Sequence, residues 1–246
     1  MTDPTTTPNM DFRNHLVAVD RHTEQLLATA RSLDPGSIGD PSLCPGWTRG
    51  HVLTHIARNA DALLGLVTNA TTGSSTPMYA SPDARDADIE AGAGRPLAEQ
   101  VADLEASAAR FAAGAAGLTE ELSGVPLLAR NNTKVKAGYL PFMRMREVVL
   151  HHIDLDAGFS FPEVDDEVLL ALLQDTIRRL RHDPETPSMS IRTNEGDVWS
   201  IGDGRPIVSG TRAAVLAWLT RGDTAGVFEI LHLITACRPH IGDQRS

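Results

Sequence analysis

Apolar residues recur every three to four positions along several long segments of the first two-thirds of the chain. The first segment runs from about Asp11 to Leu33 and ends at an Asp-Pro-Gly sequence that breaks helices. The second follows Thr48, whose hydroxyl is suited to capping a helix N-terminus, and continues to about Asn69. This spacing is typical of helices with one buried face, so both segments are predicted to be long amphipathic helices.

Two further helices complete the pattern. One spans roughly Pro96 to Leu122 and is rich in alanine, leucine and glutamate, and the other starts near Pro141 and is expected to be capped by Gly158. Four such helices predict an α-helical bundle of the up-down-up-down type. The polar connection around residues 73–77 is longer than most links between helices, so we expect it to cross the bundle or to lie over a site.

The pattern changes after Pro162. A helix is predicted from about Asp165 to Arg181, and a final amphipathic helix from Thr211 to Leu219. Between them lie short β-like runs separated by turn-forming residues, at Ser188–Arg192, Val198–Ile201 and Ile207–Val208. We therefore predict a four-helix domain over residues 1–160 and a small α+β domain over residues 161–246.

Charge and composition narrow the function classes. The formal net charge of −10 argues against nucleic acid or an anionic membrane as partner, because binding to phosphates needs a concentrated basic face. The N-terminus lacks a basic segment followed by an apolar one, and no apolar run reaches about 18 residues. Cys44 and Cys237 are interpreted as reduced thiols. These features predict a cytoplasmic protein with small-molecule partners, of open oligomeric state.

Two pairs of residues at helical spacing suggest a metal site. His51 and His55 lie four apart on the second helix, and Glu147 and His151 lie four apart on the fourth. Residues four apart share one face of a helix, so two facing helices could bring these groups together in the bundle core. The chain has nine histidines, and a single pair at this spacing is weak evidence alone.

The position of Glu147 strengthens the argument, because its helical stripe is expected to face inward. A buried carboxylate is costly unless it is paired or bound to a metal, and Arg144 leaves an ordinary ion pair open as the alternative. We choose His55, Glu147 and His151 as ligands, a set that leaves a fourth position open as in catalytic zinc sites. Such mixed sites also accept nickel, cobalt and manganese.

Other polar residues close to these ligands in sequence are not chosen as metal ligands. His51, in the first turn of its helix, is expected at the rim, and His152 is turned about 100° away from His151. Asp154 either orients a ligand imidazole or is exposed. Cys44 precedes a helix start, but no ligand cluster surrounds it in sequence, so no catalytic role is assigned to it.

Several stretches carry a family resemblance over nearly the whole chain. They are GWTRGHVLTHIARNA, TPMYASPDAR, MRMREVVLHHIDL and VSGTRAAVLAWLTRGD. In this order and spacing they closely resemble the mycothiol-dependent maleylpyruvate isomerases, members of the DinB-like superfamily of metal-binding four-helix bundles. The end of the chain, beyond about Gly226, does not resemble that family. The resemblance implies zinc ligands at His55, Glu147 and His151, a catalytic arginine at Arg221, and mycothiol as cofactor.

The resemblance also implies a reaction, the thiol-dependent cis–trans isomerisation of a diketo dicarboxylate. A cation near the carbonyl oxygen would stabilise the enolate that thiolate addition creates. Arg221 is one candidate for this role, and Arg85, on the long connection, is a second candidate and a carboxylate clamp. Tyr79 is a candidate for the lining of the same pocket, and Arg85 and Tyr79 are the candidates for binding the cofactor. Packing or surface roles stay open for all three.

Two other functions remain compatible with the sequence. A mycothiol S-transferase would use the same metal and thiol but would yield a stable conjugate. A non-catalytic bundle would hold the metal structurally or hold none. The physiological substrate is not specified by these residues.

Overall fold

The structure, a computed structural model, describes residues 11–228. The described residues divide into two compact units, Asp11–Phe159 and residues 160–228. Cys237 and the end of the chain, from residue 229, lie outside the described part, so the interpretation of Cys237 stays a prediction. In the described part, none of the helices has the length and apolar character needed to cross a membrane.

The N-terminal unit is helical apart from one hairpin. Its elements are α1 (Phe12–Ser32), α2 (Arg49–Thr72), α3 (Pro82–Ala93), α4 (Leu97–Ala115), α5 (Glu120–Ser123), β1 (Pro126–Leu128), β2 (Lys134–Lys136) and α6 (Leu140–Asp154). Helices α1, α2, α4 and α6 form the bundle: α1 packs on α4 and α6, and α2 packs on the same two. Consequently α2 and α6, which carry the proposed metal ligands, are direct neighbours.

The bundle is held by apolar side chains contributed by all four helices. Leu26 of α1, Leu53 and Ile56 of α2, Leu104 of α4 and Val148 of α6 are fully buried in one cluster. Burying a leucine or isoleucine side chain contributes about 1.5–3 kcal/mol, so this cluster is a large source of the unit's stability. The buried faces follow the helical period that the sequence shows, and the predicted bundle is confirmed.

Helix α2 begins and ends as its sequence suggests. The Thr48 hydroxyl accepts a hydrogen bond from the His51 backbone N–H at 3.4 Å, which satisfies one unpaired donor of the first turn. The His51 ring completes a capping box, since its Nδ1 accepts from the Thr48 backbone N–H at 3.1 Å. At the other end, Gly73 adopts a left-handed conformation with φ of 74°.

Several predicted boundaries were wrong. The polar connection after α2 contains a helix, α3, with Ser81 as its N-cap and Pro82 in its first turn. The predicted third helix stops at Ala115 rather than Leu122, where Gly114 and Gly117 lower the helix propensity.

The predicted cap of the fourth helix was also wrong. Helix α6 ends at Asp154, four residues before Gly158. The left-handed turn after the helix is made by Asp156, whose φ is 50°. Aspartate is among the few residues other than glycine that adopt this conformation readily, so a glycine is not required there.

The C-terminal unit combines helices with one sheet. Its elements are α7 (Asp166–His182), β3 (Met189–Thr193), β4 (Val198–Ile201), β5 (Ile207–Gly210), α8 (Arg212–Arg221) and β6 (Val227–Phe228). The sheet order is β4-β3-β5-β6, with β3 antiparallel to β4 and parallel to β5. The two helices pack on each other, and this arrangement confirms the predicted small α+β part.

Candidate metal centre

Three side chains from two helices meet in the N-terminal unit. His55 Nε2, from α2, lies 3.1 Å from Glu147 Oε2, and His151 Nε2, one turn after Glu147 on α6, lies 3.5 Å from the same oxygen. One nitrogen or oxygen of each residue lies within 4.8 Å of those of the other two. The spatial convergence expected from the sequence is therefore present.

The donor set fits a divalent metal ion. Two ligands bound at about 2.0–2.1 Å to a tetrahedral ion lie about 3.3 Å apart, which is close to both distances to Glu147 Oε2. Both histidines are only 3% exposed, so the pocket excludes most water from two faces of such an ion. His55, Glu147 and His151 would hold the metal, and three protein ligands leave a fourth position for a thiol, water or substrate.

Asp154 fixes the orientation of the His151 ring. Its Oδ2 lies 2.8 Å from His151 Nδ1 and is fully buried, so the exposed alternative for Asp154 is wrong. A hydrogen bond at Nδ1 keeps Nε2 directed toward Glu147, an arrangement common around metal-binding histidines. Burial opposes a charge on His151, but its hydrogen bonds with Asp154, Cys44 and Glu147 together raise its pKa well above the usual value.

Cys44 belongs to this network. Its thiol donates to Asp154 Oδ2 at 3.2 Å, and Sγ lies 3.9 Å from His151 Nδ1. These three residues are a second conceivable metal group. We favour the group around Glu147, because 2.8 Å between Nδ1 and Oδ2 is a hydrogen-bond distance and too short for two tetrahedral ligands. Burial also raises the pKa of the Cys44 thiol, which disfavours the thiolate that a metal would need.

Burial and neighbouring groups set the protonation states of His55 and Glu147. Burial lowers the pKa of His55 to about 4, so its imidazole is neutral at neutral pH, as a ligand requires. Burial alone would raise the pKa of Glu147, but hydrogen bonds from His151 and His55 hold it well below its usual value. Glu147 is therefore an anion in the core, balanced by imidazole groups and by Arg146, whose Nη2 lies 3.2 Å from Glu147 Oε1.

Arg85 and Tyr79 lie beside the three residues. Arg85 projects from α3, is 3% exposed, and places Nη2 3.3 Å from His55 Nδ1. A guanidinium only donates, so Nδ1 accepts this bond and the ring proton of neutral His55 lies on Nε2. The Arg85 carbon Cζ is 5.9 Å from the centre of the Tyr79 ring, and burial raises the pKa of that phenol. Their functional roles stay predictions.

Three further residues considered in the sequence have the following local surroundings. Arg221 is the last residue of α8, in the C-terminal unit, where its Nη1 donates to the Thr220 carbonyl at 2.8 Å. His51 is 3.1 Å from Glu90 and belongs to the helix cap. His152 stacks on Phe159 at 3.9 Å between ring centres, away from the cluster.

The alternative of an ion pair between Arg144 and Glu147 was wrong. Arg144 is fully buried and donates to the Ile56 carbonyl at 2.8 Å and to Asn59 Oδ1 at 3.0 Å instead. Arg146 forms an ion pair with Glu147 instead. The argument from helical spacing considered residues one turn apart and therefore did not include this adjacent residue. Burial lowers the pKa of Arg144 to about 10, which still leaves it charged at neutral pH.

The fold and this donor set define a class, the helical bundles that present a metal site between neighbouring helices. Comparison with known proteins gives the family. Residues 19–156 match the family described as the mycothiol maleylpyruvate isomerase N-terminal domain, which is more than half of the chain. The chain belongs to this family.

Two solved structures are similar over most of the chain. One is a mycothiol-dependent maleylpyruvate isomerase, 27% identical, covering 91% of this chain and 95% of that chain with a TM-score of 0.83. The other is a variant of that enzyme with a histidine replaced by alanine, 26% identical with the same coverage and TM-score. No curated protein sequence matches the chain.

Proposed function

We propose that this chain is a mycothiol-dependent isomerase that converts the cis double bond of a maleylpyruvate-like diketo dicarboxylate to trans. One observation carries the proposal: a His55–Glu147–His151 cluster, with both histidines buried, that is suited to a divalent metal, in a chain that shares its fold with a mycothiol-dependent isomerase. Zinc suits this ligand set, and nickel, cobalt and manganese are the alternatives. The sequence features given above favour a cytoplasmic location.

The metal, when bound, supplies Lewis acidity that favours the thiolate form of a thiol and polarises a carbonyl. The chain's own residues prepare the site for it. Asp154 holds the His151 ring, and the carboxylate of Glu147 partly neutralises the added positive charge. Coordination through His55 Nε2 requires the ring proton to sit on Nδ1, which removes the acceptor that Arg85 now uses.

Arg85 is one of two arginines that we assign to the substrate. Its guanidinium can hold a carboxylate through two parallel hydrogen bonds, and Arg221 is the second arginine that we assign to the substrate. Asp86 accepts from Arg85 Nη1 at 2.6 Å and limits the positions that the guanidinium can take. Tyr79, against Arg85, is assigned to the pocket wall and to cofactor binding.

The proposed reaction needs no reactant other than the substrate and the thiol. The thiolate sulfur adds to one alkene carbon, and the π electrons move through the conjugated chain to a carbonyl oxygen, which gives an enolate. The former double bond is now single and rotates. The enolate electrons then return, the carbon–sulfur bond breaks, and the thiolate leaves with the trans product. A cation close to the enolate oxygen lowers the barrier of this sequence, which is the role we give to Arg85 or Arg221.

The test is turnover of maleylpyruvate by purified protein with and without mycothiol. We expect fumarylpyruvate to form only when the thiol is present, with no net consumption of thiol. Stoichiometric loss of thiol into a stable conjugate would instead identify an S-transferase. An absence of any thiol-dependent reaction, in protein that contains no metal, would identify a non-catalytic bundle.

A further inference from the structure

A groove of about 570 Å³ lies in the N-terminal unit, between the chain that follows α2 and the β1–β2 hairpin. Residues 74–82 form one wall and residues 126–132 the other, with Asn69 contributing from α2. The volume falls within the range of about 300–1,000 Å³ that is usual for small-molecule sites. None of the three proposed metal ligands lines this groove, so it is separate from the centre itself.

The groove offers polar groups that the fold does not use. Within the described part of the chain, the side chains of Ser75, Asn131 and Asn132 form no hydrogen bond. Together they present one hydroxyl and two amides, each able both to donate and to accept. This composition suits a ligand that carries many hydroxyl groups.

Both walls are ordered by local structure, one by side-chain hydrogen bonds and the other by a tight turn. The Asn69 amide donates to the Thr76 carbonyl at 2.7 Å, and its oxygen accepts from the Ser74 hydroxyl at 2.7 Å. In the opposite wall, Asn131 and Asn132 both have φ of 56°, the conformation of a tight two-residue hairpin turn. Groups fixed before binding lose little entropy when a ligand arrives.

The groove is lined by few charged residues, which favours binding of an uncharged part of a ligand. Arg130 is its sole cationic lining residue, and no aspartate or glutamate lines it. A dicarboxylate would need more than one cation here, whereas neutral hydroxyl groups need only the available donors and acceptors. Pro77, Met78 and Tyr79 add apolar surface on which the C–H face of a saturated ring can pack.

Two side chains, Tyr79 and Arg85, lie between the groove and the proposed metal centre. Tyr79 lines the groove and lies under Arg85, with 5.9 Å between Cζ and the ring centre. Arg85 in turn lies 3.3 Å from His55. A ligand seated in the groove therefore has one end close to the cluster, the position a reactive thiol would need.

We infer that this groove binds the polyhydroxylated portion of the thiol cofactor, while the thiol end extends past Tyr79 toward His55. The inference rests on the proposed function, because the cofactor is taken from it. Mycothiol is a cysteine derivative attached to an amino sugar and a cyclitol, and the sugar–cyclitol portion has the hydroxyl-rich, ring-shaped character that the groove suits. Ser75, Asn131 and Asn132 would then set the preference for this thiol over smaller ones.

The test compares binding of mycothiol and of N-acetylcysteine by calorimetry. The double variant Asn131→Gly, Asn132→Gly removes both amides, and glycine accepts the left-handed backbone without strain. Ser75→Trp fills the groove from an exposed position. A matched control is Asn194→Gly, in the turn between β3 and β4 of the other unit.

We expect both groove variants to raise the Kd for mycothiol by about tenfold or more, since each lost hydrogen bond weakens binding severalfold. The Kd for N-acetylcysteine, which lacks the sugar and cyclitol, should be unchanged, as should both constants in Asn194→Gly. Equal mycothiol affinity in the wild type and both variants would overturn the inference. Mycothiol binding that depends on the groove, in a protein that does not isomerise maleylpyruvate, would support the inference and refute the proposed function. No binding of mycothiol by the wild type would refute both.

Discussion

Asp154 Oδ2 lies 2.8 Å from His151 Nδ1, and this buried contact determines which nitrogen of the histidine faces Glu147. The aspartate is the last residue of α6, three positions after the histidine, so the helix itself brings the two together. Cys44 donates to the same carboxylate oxygen from the segment before α2. The proposed metal centre thus includes supporting residues beyond its three candidate ligands.

Removal of the Asp154 carboxylate should weaken metal binding. For Asp154→Ala we expect metal affinity to fall about 10- to 100-fold, because His151 loses the acceptor that orients its ring. Asp154→Asn keeps an acceptor but loses the charge, so its metal affinity should lie between those of Asp154→Ala and the wild type. Competition with a metal chelator measures the affinity, and Asp156→Asn, at an exposed neighbouring position, is the control. Unchanged affinity in Asp154→Ala would remove the aspartate from the account.

Replacement of Cys44 should leave catalysis largely intact. Burial raises the pKa of its thiol, so Cys44 is neutral at neutral pH and is a poor nucleophile. For Cys44→Ala we expect kcat within a few-fold of the wild type, with a loss of about 1 kcal/mol in unfolding free energy from the missing hydrogen bond. Steady-state kinetics and metal analysis of the same preparation provide the check. A variant that keeps its metal but is inactive would show that the thiol takes part in the reaction.

Arg85 should matter for turnover more than for metal binding. We expect Arg85→Gln to lower kcat/KM about 100-fold, the usual cost of losing one group that stabilises developing negative charge, with the metal content unchanged. Arg85→Lys should recover part of this loss, because it keeps the charge without the two-pronged geometry. Arg110→Gln, which alters an exposed arginine, is the control. Kinetics of Arg85→Gln equal to those of the wild type would exclude the arginine from the substrate site.

His15 should make the protein less stable in acid. This α1 side chain is 3% exposed, its ring nitrogens form no hydrogen bond with the described residues, and burial lowers its pKa to about 4 while Asp11 partly opposes the shift. The His15 imidazole takes up a proton near pH 6.5 in the unfolded chain but only near pH 4 in the folded chain. Stability is therefore lost as the pH falls from 6.5 to 4, by up to about 3 kcal/mol.

Denaturant unfolding of the wild type and of His15→Leu at several pH values tests this prediction. The variant should lose less stability between pH 6.5 and pH 4, and it should be at least as stable at pH 7, because no imidazole has to be buried without a partner. Identical pH profiles for the two proteins would show that His15 does not titrate on unfolding.

The sequence contains most of the information about the metal centre, because spacing on a helix is a local property. Glu147 and His151 must share a face of α6, and once α2 packs on α6, His55 has a short path to both. Cys44 could not be placed in this way. It lies 110 residues from Asp154, and only the folded chain brings the thiol and the carboxylate together.

Two segments with weak periodicity were missed in the sequence. Helix α3 is short and its only large apolar residue is Ile89, so it carries little of the apolar pattern that marks the bundle helices, although Ser81 and Pro82 are a usual helix start. The β1–β2 hairpin has strands of three residues, too short for alternation to be visible. Its turn does carry a local signal, since consecutive asparagines such as Asn131 and Asn132 tolerate the left-handed backbone.

The most direct test of the account is the metal content of the protein purified without chelators. We predict close to one divalent ion per chain in the wild type and in His182→Ala, a control at an exposed histidine of α7. His55→Ala and Glu147→Ala should contain little or no metal and should lose most activity. A wild-type protein without metal, or a full complement of metal in either ligand variant, would contradict the assignment of His55, Glu147 and His151 as a metal centre.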